Sequence, residues 1–366
     1  MARDETGLDG ALVEVEAGFR KGRIVQRLAT LFHDGGRLIR GSFFGYTSLL
    51  VLLGAGSVDP DPTGWQILTL IVIGLNYHLF GYIHNDLVDL PLDRTQPLRS
   101  NDPLVAGRIT ERQAWTVALA QIPLSYVVAW LAGASAAAFA VLTLGYASTV
   151  LYNVYGKRCP IPIITDAVQG VAWASLATFG ALLVGEPTML TWIPAAFGFG
   201  FIFLINGVHG GLRDLENDYD RGFTNTSIYL GARPIDGTRI RTTRQLQAFA
   251  FIAFSILLVP TAAAFALGVL PYGGLALAVV SVCWIATNVC SAWLLWQVVK
   301  IEQPDRFNEL YRHQLPLLTP PLMVMLPALG GYLQATLLAC FFLPFLLFTP
   351  IRWRFRSVSP SADPSI

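Results

Sequence analysis

Residues 65–83 read WQILTLIVIGLNYHLFGYI, a run with no Asp, Glu, Lys or Arg. The hydrocarbon core of a bilayer is about 30 Å thick, which takes about 20 consecutive apolar residues of α-helix to cross. This run fits that length. Working outward, comparable runs occupy Gly41–Val58, Gln113–Leu131, Ser135–Tyr152, Thr165–Leu183, Thr191–Val208, Leu246–Leu267 and Gly273–Val299. A last apolar stretch, Leu315–Thr349, is long for one span and carries Gly330-Gly331 in its middle, so it is either one span or a tight hairpin of two. None of the runs alternates polar with apolar, which excludes a membrane β-barrel. The fold class expected is therefore an all-α integral membrane bundle of nine or ten spans over residues 41–350. Composition agrees: 54% of the 366 residues are hydrophobic and 13% charged, against roughly a quarter charged in soluble domains. The net charge of +1 gives no footing for nucleic acid. Cys159, Cys283, Cys290 and Cys340 form no CxxC pair, and three lie in apolar runs. They read as small core residues rather than metal ligands.

Charge sets the orientation. The connections after the second, fourth, sixth and eighth runs contain the basic residues, among them Arg94, Arg99, Lys157, Arg158, Arg213, Arg221, Arg239 and Lys300. The short connections after the first, third, fifth and seventh runs contain none. Basic loops stay on the cytoplasmic side, which puts the N-terminus and the even-numbered loops there, with the protein in the plasma (inner) membrane. Residues 1–40 show no cleavable signal; Leu12, Val13, Val15, Phe19, Ile24, Val25, Leu28 and Leu31 are spaced as a short amphipathic helix at that surface. Residues 351–366 read as a basic and then disordered tail.

Two cytoplasmic helix ends are rich in Asp. The first is Asn85-Asp86-Leu-Val-Asp89-Leu-Pro91-Leu-Asp93-Arg94. Spacings of three and four put Asp86, Asp89 and Asp93 on one helix face, where they repel one another unless a cation lies among them. Pro91 is expected to bend or end the helix. The second is Arg213-Asp214-Leu-Glu216-Asn-Asp218-Tyr-Asp220-Arg221-Gly222. There Asp214 and Asp218 share a face, Glu216 turns about 200° away from Asp214, Asp220 lies beyond, and Gly222 offers a helix end. Hard carboxylate and amide oxygens suit Mg2+, which prefers to share phosphate ligands. Arg94, Lys157, Arg158, Arg213 and Arg221 lie beside them. Carboxylates, Mg2+ and cationic side chains together are what a diphosphate needs.

Asn85-Asp-x-x-Asp89-x-x-x-Asp93 resembles the first signature of the UbiA superfamily of intramembrane prenyltransferases, and Asp214-x-x-x-Asp218 with Gly222 and Thr224 resembles the second. Pro103-Leu104-Val105-Ala106-Gly107 and Tyr152-Asn153-Val154-Tyr155-Gly156-Lys157-Arg158 extend the likeness over roughly residues 41–350. The chain departs from the pattern at Asp102, where an Arg is usual, and at Gly211, where many members have an Asp. The resemblance implies Mg-dependent transfer of a prenyl group from an isoprenyl diphosphate to an aromatic or other lipophilic acceptor, through an allylic cation. It implies Asn85, Asp86, Asp89, Asp93, Asp214 and Asp218 as the Mg2+ ligands. Asp86, Asp89, Asp214, Asp218 and Lys157 would be catalytic, and Asn85, Asp93, Arg94, Tyr152, Arg158, His209 and Arg213 would bind substrate.

Weaker signals have plainer readings beside the functional one. His84 and His209 are each a base, a ligand or an interhelical hydrogen bond, the last being commoner in membranes. Asn76, Tyr77 and His78 line an acceptor pocket or join helices. Asn206 and Asn288 fit the joining role. Trp173, Phe179, Phe201 and Phe203 shield a cation or simply pack. A terpene cyclase or a phosphoribosyl-diphosphate transferase on the same scaffold, and a cation-coupled transporter, are the competing functions. A transporter places its charges near the midplane, and these lie at helix ends.

Overall fold

The computed structural model describes residues 30, 33–96, 99–236, 239–302, 310, 313–315, 317–319 and 324–353, with the backbone alone at 236 and 349–353. The interfacial helix expected over residues 12–31 and the tail at 357–366 lie outside this set, save Thr30. Eight helices are long and apolar enough to cross a membrane, and Gly41–Gly56 is a shorter apolar one. They are α1 (Phe44–Gly56), α2 (Gly64–Asp93), α3 (Glu111–Leu131), α4 (Ala136–Tyr155), α5 (Pro162–Val184) and α6 (Trp192–Leu204, continued by a π-helical turn Ile205–Gly210 and by Gly211–Arg213). Short helices α7 (Leu215–Asp220) and α8 (Thr226–Tyr229) and a hairpin of β1 (Arg233–Asp236) with β2 (Arg239–Arg241) follow. The chain then forms α9 (Arg244–Ala266), α10 (Gly274–Val298) and α11 (Gly331–Trp353). The all-α reading holds for the bundle. The hairpin departs from it, in an Arg-rich loop where Ile240 N also donates to Glu302 O at 2.8 Å.

Caps explain the boundaries. Thr63 with Gln66 and Thr110 with Gln113 form capping boxes at the starts of α2 and α3. Ser135 and Thr243 cap α4 and α9, and Pro162 opens α5 where its missing N–H is harmless. The Leu315–Thr349 stretch divides at Gly330. Its first part includes a 3-10 turn, Leu326–Ala328, and the second part is the single helix α11. Gly330 N donates to Pro60 O at 2.8 Å, tying this break to the α1–α2 loop.

The short apolar helix α1 is buried along almost its whole length, at every residue from Gly45 to Gly56. It crosses α5 so closely that a methyl at Gly54 would fall on the Ala177 carbonyl, and one at Gly180 on the Val51 carbonyl. Glycine at both contact points is what lets two backbones approach in a medium with no hydrophobic drive between helices. By contrast α10 turns Leu275, Val279, Val282, Val289 and Trp293 outward, the surface a bilayer solvates. Cys283 and Cys290 are exposed on the same helix, and Cys159 and Cys340 are half-buried. The expectation of core cysteines therefore fails for two of them: in lipid, an apolar run need not face the core.

Candidate active site

Helices α2, α4, α5 and α6 surround a cavity of about 680 Å3. Its first wall is the end of α2. The helix runs on through Pro91 to Asp93 rather than stopping, so Asn85, Asp86, Asp89 and Asp93 all line the cavity. Asn85 Nδ2 donates to Asp89 Oδ2 at 3.3 Å. Arg40 Nη2 donates to Asp86 Oδ1 at 2.7 Å. Arg99 Nη1 is 3.2 Å from Asp93 Oδ2 and 3.9 Å from Asp86 Oδ1.

The opposite wall begins at the π-helical turn of α6, a local widening that recurs at functional sites. It turns Asn206 and His209 to the cavity. The helix breaks again at Asp214 (φ −96°, ψ 7°), which then starts α7. Arg213 donates to both Asp214 oxygens, at 2.9 and 2.8 Å. Asp218 is buried; its Oδ2 accepts from Asn225 Nδ2 at 2.9 Å, while its Oδ1 has no hydrogen-bond partner. Between the walls stands Lys157, from the turn after α4. Its Nζ is 3.6 Å from Asp218 Oδ1 and 4.0 Å from Asp89 Oδ2. Tyr152, one turn earlier, also lines the cavity.

Burial would raise the Asp214 carboxyl, but the bidentate Arg213 guanidinium, with Lys157 and Arg99 behind it, holds it below the usual range. Asp218 goes the other way: burial raises it more than Lys157 and Asn225 lower it. Burial works against the Lys157 ammonium, and Asp89, Asp218 and Asp214 together still raise it. Eight carboxylates, those of Asp86, Asp89, Asp93, Asp102, Asp166, Asp214, Glu216 and Asp218, line the cavity against five Lys or Arg side chains. Among the described residues no three His, Cys, Asp or Glu side chains converge as a ready metal cage. Excess oxygen donors, with Asp218 Oδ1 facing Lys157 but making no hydrogen bond, nonetheless fit Mg2+, which takes one or two carboxylates and completes its shell with phosphate and water.

Of the residues expected to bind substrate, Asn85, Asp93, Tyr152, His209 and Arg213 line the cavity. Arg94 does not: it pairs with Glu111 at 2.8 Å on the surface. Arg158 lines only a separate space of about 60 Å3 with Val88, Pro91 and Phe223. Both lie past the point where the helix face turns from the cavity. Glu216, expected to point away, lines the cavity too, because the break at Asp214 voids the even 100° turn per residue. The plain reading suits His84, which bonds Asn153 Nδ2 at 2.9 Å between α2 and α4. It suits His209 as well, held by Gln314 at 2.7 Å, and Tyr77, whose hydroxyl meets Thr149 at 2.5 Å.

Arg37, Arg40 and Arg99 were not foreseen. They answer the Asp102 anomaly: Arg37 Nη2 bonds Asp102 Oδ1 at 2.6 Å, and Arg99 Nη1 lies 3.7 Å from Oδ2. The cations are supplied by the segment before α1 and by a position three residues upstream. Gly211 has an equally local reason. A Cβ there would lie 2.6 Å from Ser227 Oγ and 3.2 Å from Asn225 Oδ1, so Ser227, bonded to Gly207 O, and Asn225, bonded to Asp218, leave no room for a carboxylate.

Comparison with known proteins agrees with this arrangement. The UbiA prenyltransferase family matches residues 43–314. The chain is 27% identical over 213 residues to a protoheme IX farnesyltransferase of Leifsonia xyli, covering 55% of this chain and 63% of that protein. It is 26% identical to a digeranylgeranylglyceryl phosphate synthase of Pyrococcus furiosus over 42% of this chain and 52% of the relative. It thus spans less than two thirds of these curated relatives. A solved structure of a digeranylgeranylglyceryl phosphate synthase superposes with TM-score 0.58 at 17% identity, covering 80% of this chain and 96% of that one. A UbiA homologue from Archaeoglobus fulgidus, bound to GPP and Mg2+, superposes with TM-score 0.54 at 18% identity over 80% and 99%. These likenesses share the fold of the bundle described above. The family match covers most of this chain and includes both Asp-rich helix ends: this integral membrane protein belongs to the UbiA prenyltransferase family.

Proposed function

We propose that this chain transfers a prenyl group from an allylic diphosphate to a lipophilic acceptor, with Mg2+, at the cytoplasmic side of the plasma (inner) membrane. The observation that carries the reading is the meeting of two carboxylate clusters across Lys157 in one cavity, with a buried Asp218 oxygen left without a hydrogen bond. Asn85, Asp86, Asp89, Asp93, Asp214 and Asp218 are the residues that would hold Mg2+. When bound, Mg2+ would neutralise phosphate charge and stabilise the leaving diphosphate. Lys157, Arg99, Arg40 and Arg213 supply fixed positive charge around the same group, preorganised by their carboxylate partners. Buried Trp173 and Ile202, also lining the cavity, keep water from the allylic cation. The relatives named for farnesyl transfer and for digeranylgeranylglyceryl phosphate synthesis support an isoprenoid donor.

The test is release of diphosphate from geranyl diphosphate by the purified protein in the presence of a panel of lipophilic acceptors. Release should be lost in EDTA and return with Mg2+ or Mn2+. Undiminished release in chelator contradicts the two-cluster reading. Products formed with no acceptor present would mark a cyclase instead.

A further inference from the structure

On the side of the Asp-rich helix ends, Arg37, Arg94, Arg108, Lys157 and Arg213 each stand within 3.6 Å of a carboxylate. The junction of β2, α9 and α10 is different. Ile240 N donates to Glu302 O at 2.8 Å and Thr242 Oγ1 to Val299 O at 2.7 Å, which seats β2 and the start of α9 against the end of α10. Ile240 is buried, so Arg241 turns outward, as alternation along a strand requires. Arg241, Arg244 and Lys300 are exposed, and none forms an ion pair among the described residues. Arg239 is set opposite Asp236 in the hairpin. Of residues 239–244 and 296–302, Glu302 alone is acidic. Arg244 opens α9, at the end where the helix dipole disfavours a cation, so it does not serve the helix. Lys300 follows α10, with its Nζ over the Trp296 ring at 3.7 Å. Trp293 and Trp296 face outward, 61% and 40% exposed, and Trp settles at the headgroup level of a bilayer. The three cations thus sit at that level, on the outer flank of the bundle, and none of them lines the cavity.

We propose that Arg241, Arg244 and Lys300 form a docking surface for anionic phospholipid headgroups, in the leaflet on the side of the Asp-rich helix ends. The guanidinium groups match phosphate oxygens in pairs, and the ammonium adds a compact charge beside them. A phosphodiester with net negative charge satisfies all three, whereas a choline headgroup brings a cation of its own into the patch. Below the cations, α10 exposes Trp293, Val289 and Val282 in turn, an apolar track for the acyl chains of the same lipid. The surface lies apart from the cavity and does not depend on the reaction there. Each Lys or Arg near a membrane surface is worth roughly fivefold in attraction to anionic lipid, and salt screens part of that for exposed side chains.

The experiment reconstitutes the full chain in phosphatidylcholine bilayers and compares quenching of its tryptophan fluorescence by brominated phosphatidylglycerol and by brominated phosphatidylcholine. The wild type should prefer phosphatidylglycerol by at least about fivefold, and the preference should fall as salt rises. Arg244→Gln combined with Lys300→Gln should cut it to about twofold or less. Should that protein fail to reconstitute, Arg241→Gln alone should at least about halve the preference. Arg94→Gln combined with Arg112→Gln removes equal charge from the same side of the membrane and should leave the preference as it is. A wild type without preference, a preference indifferent to salt, or one retained in the Arg241, Arg244 and Lys300 variants overturns the docking surface. An equal loss in the Arg94 and Arg112 variant overturns it as well, because the attraction is then general to the charged side. Displacement of the lipid by free glycerol phosphate at matched ionic strength would make the patch a site for soluble anions and overturn a lipid surface.

Discussion

Removing the Lys157 ammonium, with the stem kept as Lys157→Met, perturbs a cation that pairs with both walls. Its Nζ is 3.6 and 4.0 Å from Asp218 and Asp89. At an effective dielectric constant of about 20, each such pair is worth roughly 4 kcal/mol before exposure is considered. The side chain is 26% exposed, which lowers the figure for the resting protein. At the transition state the charge on the departing diphosphate grows, and loss of one preorganised charge contact there is worth about 3–4 kcal/mol, or 10²–10³ in rate. Lys157→Met should therefore lower kcat/KM for geranyl diphosphate, measured by diphosphate release at saturating Mg2+, by about 10²–10³. Lys157→Arg should recover most of it. Arg94→Met is the control, since its pair with Glu111 is more than half exposed on both sides and should leave kcat/KM within about threefold. A Lys157→Met enzyme within tenfold of wild type, or an equal loss in Arg94→Met, would refute the assignment of charge inside the cavity.

Two further predictions concern the scaffold. Gly54→Ala should lower the melting temperature of the detergent-solubilised protein, reflecting a loss of about 1–3 kcal/mol, because the added methyl meets the Ala177 backbone rather than a side chain that can move; an unchanged melting temperature would contradict the α1–α5 crossing. Asp34 holds the segment before α1 to the loop after α2. Burial would raise its carboxyl, but bonds from Arg108 at 2.8 and 3.1 Å, with His33, bring it below the ordinary value of 3.8. A carboxyl lowered in the folded state stabilises above its unfolded value and loses that contribution as pH falls through the folded one. Wild type should then exceed Asp34→Asn in stability at pH 6, with the difference fading below about pH 4, measured by thermal unfolding across that range; a difference independent of pH contradicts the pairing.

Much of this was legible in the chain. Apolar runs gave the helices because a bilayer admits few alternatives, and three- and four-residue spacings gave the Asp86–Asp93 wall because α2 is regular to its end. Asp214 and Glu216 show where periodicity stops serving: a π-helical turn and a break at Asp214 re-aim the side chains, and no local pattern announces either. Arg37 and Arg40 were hidden by distance, since their carboxylate partners lie 65 and 46 residues away. Asp166 drew no reading in the sequence, and its burial on a wall of the cavity is visible only in the structure. Asp102 and Gly211 looked like defects in the pattern until Arg37, Arg99, Asn225 and Ser227 were seen around them.

Product analysis tests the central claim most directly. Purified protein is incubated with Mg2+, geranyl, farnesyl or geranylgeranyl diphosphate, and hydroxylated lipophilic acceptors, each with and without its partner, and products are read by mass. The account predicts a product equal to acceptor plus prenyl group minus one hydrogen, formed only when donor, acceptor and Mg2+ are all present and abolished by Asp86→Asn or Asp214→Asn. Prenyl transfer that persists in those variants, or a protein that releases no diphosphate from any donor, would contradict it.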